Sequence, residues 1–188
     1  MKFIIIGSST GGPRILFDLF TDLPKLSAAI ILIQHMPVST ANRLAKRLSQ
    51  LTDNTIYIPE DQQPISTGAV FIAPGDQHLI LDNYEQVRLT SDEKVNFVRP
   101  SVDVTMLGLK RDLRHSILGI ILSGMGSDGA EGLAHIKKIG GMTAVQDPAS
   151  CTIRSMPEAA LKTEKVDYTL PPEGLKNLMI EFSKSGIP

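Results

Sequence analysis

Four short runs of unbroken apolar residues constrain this chain more than any other feature: Phe3 to Ile6, Ala29 to Ile33, Ala69 to Ala73 and Ile117 to Leu122. A strand with one face in water alternates apolar and polar residues, so runs that are apolar throughout belong to strands covered on both sides. Between several of these runs the spacing lengthens to that of helices, with Leu44, Ala45, Leu48 and Leu51 on one face and Val102, Met106, Leu109 and Leu113 on another. The combination predicts an α/β fold: a doubly wound, mostly parallel sheet with helices on both faces. Met142 to Val145 reads as a further strand. From about Ile80 to Asn96 the pattern breaks. Turn residues (Asp82-Asn83, Ser91-Asp92) flank short alternating segments such as Gln86 to Leu89, which predicts an antiparallel hairpin.

Boundary signals agree with this reading. Pro13 suits the first turn of a helix after Gly11-Gly12, Ser39 or Thr40 is expected to cap the helix bearing Leu44, and Ser101 the one bearing Met106. Gly140-Gly141 is expected to close the helix through Leu133 and Ile136. No repeat, low-complexity tract or linker divides the 188 residues, so residues 1–188 are expected to form a single domain. With 19 basic and 20 acidic side chains, no global field would hold the chain on nucleic acid or an anionic membrane. The lone cysteine, Cys151, can form neither an internal disulfide nor a zinc-type cluster. The opening run is too short for a signal peptide, and none approaches the 18 or so apolar residues of a membrane span. A cytoplasmic protein without membrane insertion is expected.

In an open parallel sheet, ligands and reactive groups gather beyond the carboxyl ends of the strands. There the sequence places Gly7-Ser8-Ser9-Thr10-Gly11-Gly12, then Gln34-His35-Met36-Pro37, and then Ser123-Gly124-Met125-Gly126-Ser127-Asp128-Gly129. A hydroxyl, an imidazole and a carboxylate thus each end a strand. A serine hydroxyl needs a base to take its proton, and the imidazole needs a carboxylate to fix its tautomer. Both Ser8 and Ser9 are hydroxyl candidates on the first turn. Taken alone that turn also suits phosphate. Against a nucleotide site stand the absence of a Lys-Ser/Thr pair after Gly12, where Pro13-Arg14 follows, and a second strand that ends in Gln34-His35 rather than an acidic residue.

Six ordered blocks resemble the catalytic domain of CheB-type chemotaxis methylesterases: Ile6 to Gly12, Gln34 to Pro37, Ala73 to Leu79, Arg99 to Asp103, Gly124 to Ala130, and Gln146 to Cys151 with Met156 to Ala160. The resemblance implies hydrolysis of glutamate γ-methyl esters on the cytoplasmic domains of methyl-accepting chemoreceptors, with glutamine deamidation as a related activity and no cofactor or metal. It assigns the nucleophile to Ser9 rather than Ser8, the base to His35 and the orienting carboxylate to Asp128. The backbone N–H groups of Thr10 and Met125 are the oxyanion-hole candidates. The family commonly has asparagine where Ser127 stands, and histidine and arginine leading into Arg99-Pro100-Ser101-Val102-Asp103, where this chain has Asn96-Phe97-Val98. Met1 directly precedes the first strand, so the phosphorylatable receiver domain that usually precedes such a domain is expected to be absent. A separate receiver or histidine-kinase system is then a candidate partner.

Blander readings stand beside these. Asp128 suits the N-cap of the helix through Leu133, Cys151 a small buried hydrophobe, and Arg43, Lys46 and Arg47 a solvated face or a surface meeting acidic receptor helices. His78 reads as structural, and His115 and His135 fall on helix surfaces or ends. A non-catalytic binding module of the same fold, and less strongly a nucleotide-binding protein, are the rival functions.

Overall fold

The computed structural model describes residues 1–185. Its elements, in chain order, are β1 (Lys2–Ser8), α1 (Gly12–Phe20), β2 (Ala29–Gln34), α2 (Val38–Leu48), β3 (Thr55–Tyr57), β4 (Ala69–Ile72), β5 (His78–Asp82), β6 (Gln86–Thr90), α3 (Val102–Leu107), β7 (Ser116–Ile121), α4 (Ala130–Lys138), β8 (Met142–Gln146), α5 (Ser155–Leu161), β9 (Tyr168–Leu170) and α6 (Pro172–Lys184). Seven strands form one sheet in the order β3-β4-β2-β1-β7-β8-β9, and every pairing within it is parallel. The strands β5 and β6 form a separate antiparallel pair. This is the expected doubly wound sheet, with the hairpin beginning two residues before the expected Ile80 and its strands ending at Thr90.

All seven residues of β1 are buried, and their alternation divides the core. Ile4 and Ile6 face α1, α2 and α6, packing with Leu16, Leu19, Leu48 and Met179. Phe3 and Ile5 point the other way, into a cluster with Val102 and Met106 of α3, Leu133 and Ile136 of α4, and Met156 of α5. Fully burying each such side chain contributes about 1.5–3 kcal/mol. That is why an unbroken apolar run here signals a covered strand rather than a membrane segment. Among the described residues no helix is long and apolar enough to cross a membrane.

The chain leaves β1 by α1 toward β2 and later enters β7 on the opposite side of β1. Crossovers between parallel strands are right-handed, so reversing the direction of travel moves the connecting helices to the other face. The loops after β1, β2 and β7 therefore meet at the carboxyl end of the central strand, where sites gather in such sheets.

Several local expectations need correction. Neither Ser39 nor Thr40 caps α2: both lie inside its first turn, the N-cap is Pro37, and Thr40 Oγ1 donates to the Pro37 carbonyl oxygen at 2.7 Å. The helix bearing Met106 ends at Leu107, so Leu113 lies in a loop and is 80% exposed. Ser101 does cap that helix, accepting from Val104 N at 3.3 Å. Gly140 closes α4 in a left-handed conformation, φ 96°, and Gly141 N donates to the Ile136 carbonyl.

Candidate active site

Strands β1 and β2 pair with Ser8 opposite Gln34. Parallel neighbours lie about 4.8 Å apart, so Ser9 and His35 leave the sheet side by side. Both line one cavity of about 650 Å³. Gln34 ties the two exits together: its side-chain amide donates to the Ser9 carbonyl at 3.1 Å and to the His35 carbonyl at 2.9 Å. On the other side of β1, Ser9 N donates to the Ser123 carbonyl at 3.1 Å, while Ser123 Oγ lies 3.0 Å from the Thr10 carbonyl and 3.1 Å from that of Ile153. Ser9 thus sits on a turn anchored from both neighbouring strands.

Two glycines make that turn possible. Gly11 adopts φ 83°, and a Cβ there would fall 2.7 Å from Thr152 Cβ. A Cβ on Gly124 would lie 2.1 Å from Met156 Sδ and 2.8 Å from Ser9 Cβ. The loop after β7 therefore passes directly against Ser9, and only a residue without a side chain fits there.

Asp128 reaches His35 across the end of β1, with His35 Nε2 2.8 Å from Asp128 Oδ2. The aspartate is 3% exposed and its side chain accepts four further hydrogen bonds. Ser101 Oγ donates at 2.7 Å, Asn96 Nδ2 at 3.0 Å, Val102 N at 2.6 Å and Asp103 N at 3.2 Å. Burial pushes the carboxyl up, yet the hydrogen bonds from His35, Ser101, Val102 and Asn96 outweigh it and hold Asp128 below the ordinary carboxylate range. An ionised Asp128 accepts from Nε2–H, leaving Nδ1 as the basic nitrogen of the ring. Asp103, beside it, behaves oppositely. Burial is the largest cause of its raised value, opposed by the Gly132 N–H and reinforced by the charge of Asp128.

The capping reading of Asp128 is replaced by this arrangement. The N-cap of α4 is Gly129, with no side-chain cap, and the Asp128 carboxylate instead meets the first N–H groups of α3. Asn96 is a contact the sequence did not single out. Asn96 and Phe97, at φ 53° and 64°, form a two-residue turn between Val95 and Val98, and asparagine tolerates this left-handed geometry well. The turn aims the Asn96 amide at Asp128 and Asp103, while the Phe97 side chain is 97% exposed.

The hydroxyl of Ser9 makes no hydrogen bond to the His35 ring here, although both line the same space. Such contacts commonly tighten only when substrate binds. The backbone N–H groups of Thr10 and Met125 find no acceptor among the described residues. Ser8 is fully buried, its hydroxyl unpartnered beneath α1 beside the equally unpartnered Gln34 Oε1. Cys151 is pushed up to about 11, by burial first and then by the charges of Asp147 and Glu158, which leaves it a poor nucleophile at neutral pH. His78 is fixed between Glu93 and Ser101 in the interior, a structural role. Among the described residues no cluster of His, Cys, Asp and Glu could hold a metal ion.

A family model described as CheB methylesterase matches residues 4–179. The protein-glutamate methylesterase/protein-glutamine glutaminase of Haloarcula marismortui is 38% identical over 183 residues, covering 95% of this chain and 50% of that protein. Its counterpart from Thermotoga maritima is 36% identical over 185 residues, covering 96% of this chain and 54% of the relative. The crystal structure of the Thermotoga maritima CheB methylesterase catalytic domain superposes with a TM-score of 0.88 at 36% identity, over 96% of this chain and 97% of that one. The chain spans about half the length of the curated relatives it matches.

Proposed function

This chain belongs to the CheB methylesterase family, and from that premise we propose that it hydrolyses glutamate γ-methyl esters on the cytoplasmic domains of chemoreceptors, with glutamine deamidation as a second activity of the same site. The observation that carries the reading is the His35–Asp128 pair, its aspartate buried and its imidazole partly so, standing beside Ser9 at the open end of the central strands. Work on such a substrate places the protein in the cytoplasm.

In this mechanism His35 Nδ1 takes the Ser9 proton as Oγ attacks the ester carbonyl carbon. The oxygen becomes an oxyanion facing the N–H groups of Thr10 and Met125, donors that typically lower such a barrier by about 2.7–4 kcal/mol each. Collapse breaks the bond to methoxide, which leaves as methanol with the proton from His35. Water then attacks the acyl-enzyme with His35 again as base, releasing the glutamate carboxylate and restoring Ser9. With glutamine as substrate the leaving group is ammonia. Asp128 keeps the Nε2–H tautomer and stabilises the imidazolium that forms in each half.

A non-catalytic module of the same fold is the competing reading, favoured by the unmade hydrogen bond between Ser9 and His35. Methanol release from methylated receptor, followed for the native chain and for Ser9→Ala, decides between them. Ser9→Ala is expected to abolish release and labelling by a fluorophosphonate, whereas Ser8→Ala retains most of both. Equal labelling of native and Ser9→Ala protein would overturn the assignment.

A further inference from the structure

The cavity shared by Ser9 and His35 continues along α2, where its wall carries Arg43 and Arg47. Apart from His35 these are its only ionisable side chains among the described residues, in a chain whose net charge is -1. The cavity is thus cationic by local arrangement rather than by overall excess. Among the described residues neither guanidinium joins an ion pair; the basic partners in the Lys and Arg pairs there are Arg99, Arg114, Lys137 and Arg154. Arg47 lies over the Phe17 ring at 5.8 Å and donates to Gln50 Oε1 at 3.3 Å. A planar cation held on an aromatic wall keeps its remaining N–H groups directed outward, in the fork that matches a carboxylate.

The spacing of the two cations gives the acceptor a shape. Helix α2 begins three residues after His35, and at 1.5 Å per residue Arg43 and Arg47 lie about 7–8 Å and 13–14 Å along it from Val38. A second helix laid along the same cavity rises at the same rate. Two same-face residues of that helix one turn apart would then come opposite Arg43 and Arg47, which are themselves four residues apart. We propose that Arg43 and Arg47 form a selectivity site for an acidic helical segment, one carrying two carboxylates a turn apart on the face that bears the methyl ester. This inference rests on the esterase reading and adds to it the charge pattern the substrate must have.

The test uses helical peptides bearing a single glutamate γ-methyl ester, with glutamate or glutamine at two same-face positions a turn apart, scanned along the helix beyond the ester. Methanol release by the native chain is expected to favour the glutamate peptide in kcat/KM by about tenfold, the scale of two exposed ion pairs, chiefly through KM. Raising the salt from 50 to 500 mM should shrink that preference. In the Arg43→Gln, Arg47→Gln double variant the preference should fall to about one, and Arg47→Glu should turn it toward a lysine-bearing peptide. Lys46→Gln, on the same helix but outside the cavity lining, should keep the native preference. Hydrolysis of both peptides at equal kcat/KM by the native chain, or a preference that survives the double variant, would overturn the selectivity site while leaving the esterase reading intact. No methanol from either peptide would remove the esterase reading and this one with it.

Discussion

Replacing Asp128 with asparagine separates orientation from simple packing, because the two side chains have nearly the same volume. In the native chain one carboxylate oxygen accepts from Ser101 Oγ, Asn96 Nδ2 and Asp103 N, and the other from Val102 N and His35 Nε2. An asparagine has one acceptor oxygen, so it keeps the three-donor side best and turns its own NH2 toward Val102 N and His35. The Val102 N–H, 2.6 Å away in the native chain, then faces a donor inside a buried site. His35 can meet the new donor only by carrying its proton on Nδ1, which removes the base proposed for Ser9. A buried donor left unsatisfied costs about 1–3 kcal/mol, and the loss of charge on the other bonds brings the total to roughly 2–5 kcal/mol. For a chain of this length about 2–4 °C accompany each kcal/mol, so Tm should fall by roughly 4–20 °C. The wrong tautomer should lower turnover on the order of 10⁴-fold. Thermal unfolding by circular dichroism, and methanol release measured well below the lowered Tm, read the two effects separately. Activity within tenfold of native in a folded variant would refute the orienting role. An unchanged Tm would show that the hydrogen-bond ledger around Asp128 is wrong.

Gly124→Ala should leave the sheet intact but push apart Met156 and Ser9, whose atoms lie 2.1 and 2.8 Å from the new methyl position; a loss of about 100-fold in kcat/KM with a Tm change under about 5 °C is expected, and native-like kinetics would show that the Ser9 turn tolerates displacement. The depressed Asp128 carboxyl contributes stability that is fully present above the ordinary aspartate value of about 4 and lost as pH falls through its lower folded value. Asp103, raised in the fold, has the opposite sign, so its cost at neutral pH is relieved as pH falls from its raised value toward about 4. Urea unfolding across pH 3–6 should therefore show Asp128→Asn losing less stability than the native chain below about pH 4, and a steeper loss in that variant would contradict the assignment.

Much of the architecture was legible because a strand covered on both faces needs apolar residues throughout, and Phe3 to Ile6 or Ala29 to Ile33 advertise that need locally. The short edge strands β3 and β9 were not legible: each has three residues, largely exposed, and no burial pattern to betray it. Leu113 misled for a related reason. It continues the spacing of Met106 and Leu109, but Gly108 ends the helix before the pattern can be used. At the site, the chemistry-bearing types at the strand ends picked out His35, Asp128 and the two serines of the first turn, and the family resemblance chose Ser9 over Ser8. Asn96 carried no such signal, since its value comes only from a turn that places its amide on two carboxylates.

The sequence by itself therefore determined the covered parallel sheet and the identity of the groups at its carboxyl end, because burial periodicity and side-chain chemistry are local properties. Only the tertiary structure decided that Asp128 binds His35 through Nε2 and accepts the first N–H groups of α3 rather than capping α4. Those contacts join segments that are far apart in the chain. No pattern within either segment encodes the angle at which they meet; that angle is set by the packing of the helices on the two faces of the sheet.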